Sequence, residues 1–236
     1  MKKWRTTGGT DIWQVLHGRS NAYLLCRGDR YILVDTGRKK NRRLLCRNLE
    51  TLGILKASSL LLVLTHTHFD HAENAAYLKK KYSAQIAVHE EEADFLGKGS
   101  SPLPGGTLPV LRQVAGVVKK LVGPFFDFEA VLPDYRVSGP FDLKDHGFEG
   151  SLMSIPGHSR GSMAVIIEDE TALVGDGMFG VFKKSIFPPF GDDALLLKKS
   201  WFLLFDTGCS LYLPGHGREI SRERVRDALS EGDEIL

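Results

Sequence analysis

Residues 66–71 read His-Thr-His-Phe-Asp-His, three imidazoles and a carboxylate within six positions. Imidazole nitrogen and carboxylate oxygen are both good ligands for divalent transition ions. His66 and His68 alternate as an extended chain alternates and so point one way, while Asp70 and His71 follow where the chain should turn into a helix. The chemistry on offer is metal coordination. A solvated, histidine-rich turn would have no reason to adjoin a buried strand, and the preceding Leu60–Leu64 is a continuous apolar run of strand length.

The rest of the chain supplies elements that could hold such a cluster. Residues 12–16 and 21–27 read as short strands, and Gly28-Asp29 turns into a third, Tyr31–Val34, so an antiparallel hairpin opens the fold. That third strand stops at Asp35-Thr36-Gly37, a turn-forming sequence. Leu44, Leu45, Leu49 and Leu52 mark one face of a helix whose many Lys and Arg residues read as its solvated side, ended by Gly53. After the His-rich stretch, Ala72–Tyr82 reads as a helix with Lys79, Lys80 and Lys81 in its last turn, where cations suit the dipole. A strand at Gln85–Val88 and a Glu-rich helix from His89 to about Leu96 follow. Residues 97–106 read as a flexible link and Leu108–Val122 as a helix ended by Gly123-Pro124. Together with Phe125, Phe126 and Phe128 they make a partly helical insertion at about 97–133, read as packed on the core, with capping of the site the other option.

Strand signals return at Tyr135–Ser138, Phe141–Leu143 and Phe148–Ile155, which implies a second sheet. The last of these ends at Pro156-Gly157-His158, a hairpin of Ser162–Glu168 and Thr171–Val174 ends at Gly175-Asp176, and Leu211–Leu213 ends at Pro214-Gly215-His216 before an amphipathic helix from Ser221 to about Leu229. His17 reads as an exposed loop residue, His89 as structural and His146 as a surface residue in a turn. Cys26, Cys46 and Cys209, odd in number and scattered, suggest neither a disulfide framework nor a Cys-x-x-Cys metal site and read as packed thiols.

With 236 residues at 42% hydrophobic content, one αβ domain spanning the chain is the expectation. Lys plus Arg at 31 against Asp plus Glu at 29 leaves +2, which gives no electrostatic reason to expect a nucleic-acid or membrane partner. The basic start has no apolar core of signal-peptide length after it, and no apolar stretch reaches a membrane span, so a cytoplasmic location is expected. Oligomeric state is not legible.

The stretch Thr-His-Thr-His-Phe-Asp-His after an apolar strand resembles the signature of the metallo-β-lactamase superfamily. Pro-Gly-His-Ser-Arg-Gly-Ser around His158, Leu-Val-Gly-Asp ending at Asp176, Leu-Pro-Gly-His-Gly around His216 and Leu-Val-Asp-Thr-Gly around Asp35 match in chain order. The resemblance runs from about Asn21 to His216, with nothing specific between His89 and Pro133. It implies an α+β fold, a four-layer αββα sandwich of two mixed β-sheets flanked by helices. It also implies that His66, His68 and His158 hold one metal ion, that Asp70, His71 and His216 hold a second, and that Asp176 bridges them. Asp35 would stand behind these ligands and orient an imidazole.

Two cations about 3.5 to 4 Å apart can share a hydroxide, because coordination lowers the pKa of water from about 15.7 to roughly 7. The expected function is therefore a dinuclear metal-dependent hydrolase that uses this bridging hydroxide to cleave a small ester, thioester or lactone, with Asp70 as the catalytic residue that steers it and carries a proton. Zinc suits a His-rich site best, with iron or manganese as alternatives. Asp176 at the bridging position without a Cys ligand is unlike true β-lactamases, and His68 replaces the glutamate of the oxygen-reducing di-iron branch. The short stretch after His216 is not expected to hold the helical thiol-binding domain of hydroxyacylglutathione hydrolases, and Phe179 stands where many lactonases carry a tyrosine. The loop after Asp176 places Met178, Phe179, Phe182, Phe187 and Phe190 among Gly and Pro; Phe179 and Phe182 are expected to line an apolar substrate pocket, with Lys183 and Lys184 attracting an anionic end. A small-molecule phosphodiesterase is the alternative reading and a non-catalytic metal-binding module the third.

Overall fold

Leu60, Leu62 and Leu64 pack to one side of their strand and Leu61 and Val63 to the other, and all five are buried. A strand apolar on both faces must lie between two layers. The computed structural model describes residues 1–56, 59–102 and 126–230. This strand, β5 (Ser59–Val63), lies within a seven-stranded sheet in which β1 (Lys2–Arg5), β2 (Asp11–Leu16), β3 (Ala22–Arg27) and β4 (Arg30–Val34) run antiparallel in chain order. β4, β5, β6 (Gln85–His89) and β7 (Tyr135–Val137) continue the sheet in parallel. The second sheet holds β8 (Phe141–Asp142), β9 (Gly150–Ser154), β10 (Met163–Ile167) and β11 (Thr171–Gly175) as an antiparallel run. β12 (Leu211–Pro214) pairs in parallel with β11, and β13 (Ile220–Ser221) pairs antiparallel with β12. Both sheets are mixed.

Three apolar layers follow from the strand alternation. Leu45 and Leu49 of α1 (Arg42–Thr51), Ala75 and Leu78 of α3 (Ala75–Tyr82), and Ala93 and Leu96 of α4 (Glu90–Lys98) cover one face of the first sheet; the short α2 (Phe69–Ala72) precedes α3. Ile32, Val34, Leu61 and Val63 meet Leu152, Met163, Val165 and Leu173 between the sheets. Ala164, Ile166, Ala172 and Tyr212 face Leu197, Trp201 and Leu204 of α5 (Ala194–Asp206) and Val225 of α6 (Arg222–Ser230) on the far side. Each large aliphatic side chain taken out of water this way contributes about 1.5–3 kcal/mol. The result is the expected αββα layering.

Several local expectations are corrected. Tyr135–Val137 pairs in parallel with β6 and so closes the first sheet rather than opening the second. β1 and α5 were not expected from the sequence at all. Leu44 is 42% exposed because it sits a full residue off the stripe made by Leu45 and Leu49. α4 continues through Lys98 and is stopped by left-handed Gly99, so the link begins later than Gly97. The expected helix at Leu108–Val122 and Phe125 lie outside the described residues. Of the insertion's remainder, Phe128 and Val131 pack on the first core while Phe126 stacks on Phe69 at 4.5 Å.

Candidate metal centre

The C-terminal end of β4 bends before the site is reached. Asp35 adopts φ +61, a left-handed conformation that Asp tolerates better than most residues. Its carboxylate accepts from the Thr65 N–H at 2.8 Å and the Thr65 hydroxyl at 2.9 Å, and its Oδ2 lies 2.8 Å from His71 Nδ1. The Thr65 hydroxyl in turn lies 3.0 Å from His66 Nδ1. Asp35 thus lies directly behind His71 and, through Thr65, behind His66.

Parallel β5 delivers His66 and His68, and α2 begins at Phe69 with His68 as its extended N-cap residue, which turns Asp70 and His71 onto the other side. Loops after β9, β11 and β12 deliver His158, Asp176 and His216. All seven converge in two groups, His66, His68, His158 and Asp176, and Asp70, His71 and His216, with the candidate ligand atoms of each group within 4.8 Å of one another. His158 Nε2 lies 3.3 Å from His66 Nε2 and 2.9 Å from His68 Nδ1, and His71 Nε2 lies 3.4 Å from His216 Nε2. Asp176 stands between the groups: Oδ1 is 3.3 Å from His71 Nε2, and Oδ2 is 3.3 Å from His216 Nε2 and 3.6 Å from His158 Nε2. Asp70 flanks the second group, 3.5 Å from His216 Nε2.

These residues fit a cation. A tetrahedral ion with metal–nitrogen bonds of about 2.0–2.1 Å sets its ligand nitrogens about 3.3 Å apart. The Oδ1 of Asp176 is buried and makes no hydrogen bond among the described residues, an arrangement that a cation satisfies. A Cβ on Gly215 would lie 2.4 Å from that oxygen and 2.6 Å from His71 Cε1, so the cradle closes on backbone alone there. Burial and the neighbouring imidazoles hold His66 and His68 well below the usual imidazole range, which keeps both neutral. Burial pushes His71 and His216 down as well, but the carboxylates around them, Asp176 foremost, prevail and raise both. Asp176 is itself held well below the ordinary carboxylate range; burial opposes this, and His216 and His71 outweigh it.

The outlying histidines separate from this set. His17 is exposed. His89 caps α4, its Nδ1 accepting from the Glu91 N–H at 3.2 Å. His146, expected at the surface, is buried, with its ring 5.6 Å from that of Tyr135 and 6.0 Å from that of Phe141. Both aromatic partners come from the two strands that precede its turn, β7 and β8, and they cover the ring.

On the loop after Asp176 the aromatic residues divide. Met178 is buried and Phe187 packs on Trp201, so these two belong to the core. Phe179 lies 4.8 Å from the His216 ring and 5.9 Å from Phe182, which is 45% exposed. Arg224 of α6 donates to the Phe182 carbonyl at 2.9 Å and pins this segment. The carbonyl of Phe190 lies 2.9 Å from His158 Nδ1. Lys183 and Lys184 are exposed. Three supporting residues were missed from the sequence. Asn21 donates to the carbonyls of Pro214 and Gly217 on either side of His216, and Thr65 links Asp35 to His66. Glu92, the third, is a buried acid on the same helical stripe as Ala93 and Leu96, and that misplaced charge was the available signal.

A family model described as the metallo-beta-lactamase superfamily matches residues 16–216. The probable metallo-hydrolase YqgX of Bacillus subtilis is 26% identical over 221 residues, covering 92% of this chain and 90% of that protein. Hydroxyacylglutathione hydrolase GloC of Haemophilus influenzae is 28% identical over 189 residues, 78% of this chain and 79% of that protein. Among solved structures, the BLEG-1 B3 metallo-beta-lactamase superposes with a TM-score of 0.68 at 22% identity, over 92% of this chain and 96% of that one.

Proposed function

The chain belongs to the metallo-β-lactamase superfamily, and from that premise we propose that it is a dinuclear hydrolase of a small ester, thioester or lactone. The observation that carries the reading is Asp176, whose carboxylate reaches both groups: Oδ2 lies 3.6 Å from His158 of the first and 3.3 Å from His216 of the second, and Oδ1 lies 3.3 Å from His71 of the second. His66, His68 and His158 would hold one ion, Asp70, His71 and His216 the other, and Asp176 both; zinc suits this His-rich set. When bound, a pair of divalent ions acidifies the attacking water and polarises the substrate's oxygen.

The protein's own groups do the rest. Asp70 is the one carboxylate of the set with appreciable exposure, its side chain 19% accessible, and it would orient the attacking water and take its proton. Asp35 holds the His71 ring in orientation through the 2.8 Å contact at Nδ1. Phe179, its ring tilted 33° to that of His216, and Phe182 beside it offer an apolar wall for the acyl part, while the exposed Lys183 and Lys184 attract an anionic end. Similarity to a hydroxyacylglutathione hydrolase supports an acyl centre over a phosphoryl one. Metal analysis followed by a screen of acyl esters, thioesters, lactones and phosphodiesters tests the reading. Two ions per chain with turnover of an acyl compound is expected; phosphodiesters turned over faster than every acyl compound would move the assignment to a small-molecule phosphodiesterase, and two bound ions without turnover to a metal-binding module.

A further inference from the structure

Glu92 is 2% exposed, and among the described residues it forms no ion pair within 4.0 Å. A buried carboxylate without a cation is costly unless hydrogen bonds hold it. Among the described residues both donors to it come from a single residue: Oε2 accepts from the Thr67 N–H at 2.9 Å and from the Thr67 hydroxyl. Thr67 is the residue between His66 and His68. Fixing its backbone and its side chain from below leaves the two flanking imidazoles facing the opposite way, toward His158.

The same side chain abuts the loop that carries His158. A Cβ on Gly161 would lie 2.5 Å from Glu92 Cγ and 3.2 Å from Glu92 Oε1, so the loop rests on α4 at the closest approach a glycine allows. That loop is stiffened by the Ser159 N–H donating to the Ser162 hydroxyl at 3.1 Å and by the 2.9 Å contact between the two hydroxyls. α4 is itself anchored at its start by His89. The other half of the centre has a different support, since Asp35 meets His71 directly and reaches His66 only through Thr65.

We propose that Glu92 is the positioning residue of the three-histidine half of the centre, setting the relation of His66 and His68 to His158 through Thr67 and Gly161. This rests on the two-ion reading above. The test titrates metal-free protein with Co²⁺, followed by its visible absorption, with His158→Ala and His216→Ala identifying the step that belongs to each half. Glu92→Ala should weaken the step absent from His158→Ala by about tenfold or more and leave the other within about twofold. Glu92→Gln, whose amide oxygen can accept both Thr67 bonds, should restore it. Unchanged affinities in Glu92→Ala, even with a lower melting temperature, would overturn the proposal, as would equal weakening of both steps. If Glu92→Ala does not fold, Thr67→Val replaces it: a smaller loss at the same step supports the proposal and wild-type affinities overturn it. A wild-type chain that binds a single ion would defeat the two-ion reading separately, and Glu92 would then stand or fall on the affinity of that one step.

Discussion

The Asp176 carboxylate reaches both groups of candidate ligands, His158 of one and His71 and His216 of the other, which is where the proposed bridging role comes from. Removing it subtracts a ligand from both halves at once. Asp176→Ala should therefore lose metal and activity together, whereas Asp35→Ala, which removes only the group orienting His71 and Thr65, should cost about 10- to 100-fold in affinity or activity. Elemental analysis and steady-state rates on the same preparations check both; full loading and rate in Asp176→Ala would refute its bridging place. Alanine at His17, His89 or His146 should leave loading intact, although loss of the His89 cap should lower stability by about 0.5–2 kcal/mol. The candidate ligands were legible at this scale because His and Asp carry their chemistry in their type. Glu92 was not, since an acid in a Glu-rich helix looks solvated until its neighbours Ala93 and Leu96 are known to be buried. His146 failed for the opposite reason: a turn histidine looks exposed until Tyr135 and Phe141 close on it.

Elements were readable where a pattern was local. β5 and the strands ending at Asp35, His158, Asp176 and His216 have apolar runs cut by Gly, Pro or Asp, and they stand where expected. α5 was missed because its sequence, Ala-Leu-Leu-Leu-Lys-Lys-Ser-Trp-Phe-Leu-Leu-Phe-Asp, has apolar residues almost all round, and Leu195, Phe202 and Leu203 remain exposed beside the buried Leu197, Trp201 and Leu204. β7 was placed in the wrong sheet because parallel pairing across a long insertion leaves no trace in the local sequence. The loop between β11 and α5 is held at three points: the Gly180 N–H donates to the His216 carbonyl at 2.9 Å, Arg218 returns a bond to the Gly180 carbonyl at 3.0 Å, and Arg224 holds Phe182. A loop so fixed keeps Phe179 against the His216 ring with little ordering left to do when substrate arrives. Phe179→Ala should then raise KM for an apolar acyl substrate several-fold with metal content unchanged. A fall in loading instead would mean that the ring serves His216 and not the substrate.

Across the whole molecule the two sheets are joined by more than their shared apolar layer. The turn between β1 and β2 reaches the turn between β10 and β11, where Glu168 and Asp169 both adopt positive φ, the backbone of a tight hairpin. The Glu168 side chain is 6% exposed, accepts from the Gly8 N–H at 2.6 Å and from the Thr10 hydroxyl at 2.7 Å, and lies 3.6 Å from Arg27. Burial pushes its carboxyl up, but the hydrogen bonds from Thr10, Thr6 and Gly8 and the Arg27 charge outweigh burial and hold it below the ordinary glutamate value. A carboxyl depressed in the folded state binds fewer protons there than in the unfolded chain, so its contribution is complete above the unfolded value of about 4.3 and disappears as pH falls through the lower folded value. Hydrogen bonds to a charged group contribute about 1.5–3 kcal/mol each, which makes this clamp between the edge of one sheet and the other a measurable part of stability. Glu168→Gln should lower the urea midpoint of the metal-free chain at pH 7, and between pH 5 and pH 3 it should lose less further stability than the wild type does. Using metal-free protein keeps ligand protonation at the centre the same in both chains. Parallel pH profiles for the two proteins would show that Glu168 is not held ionised by this turn.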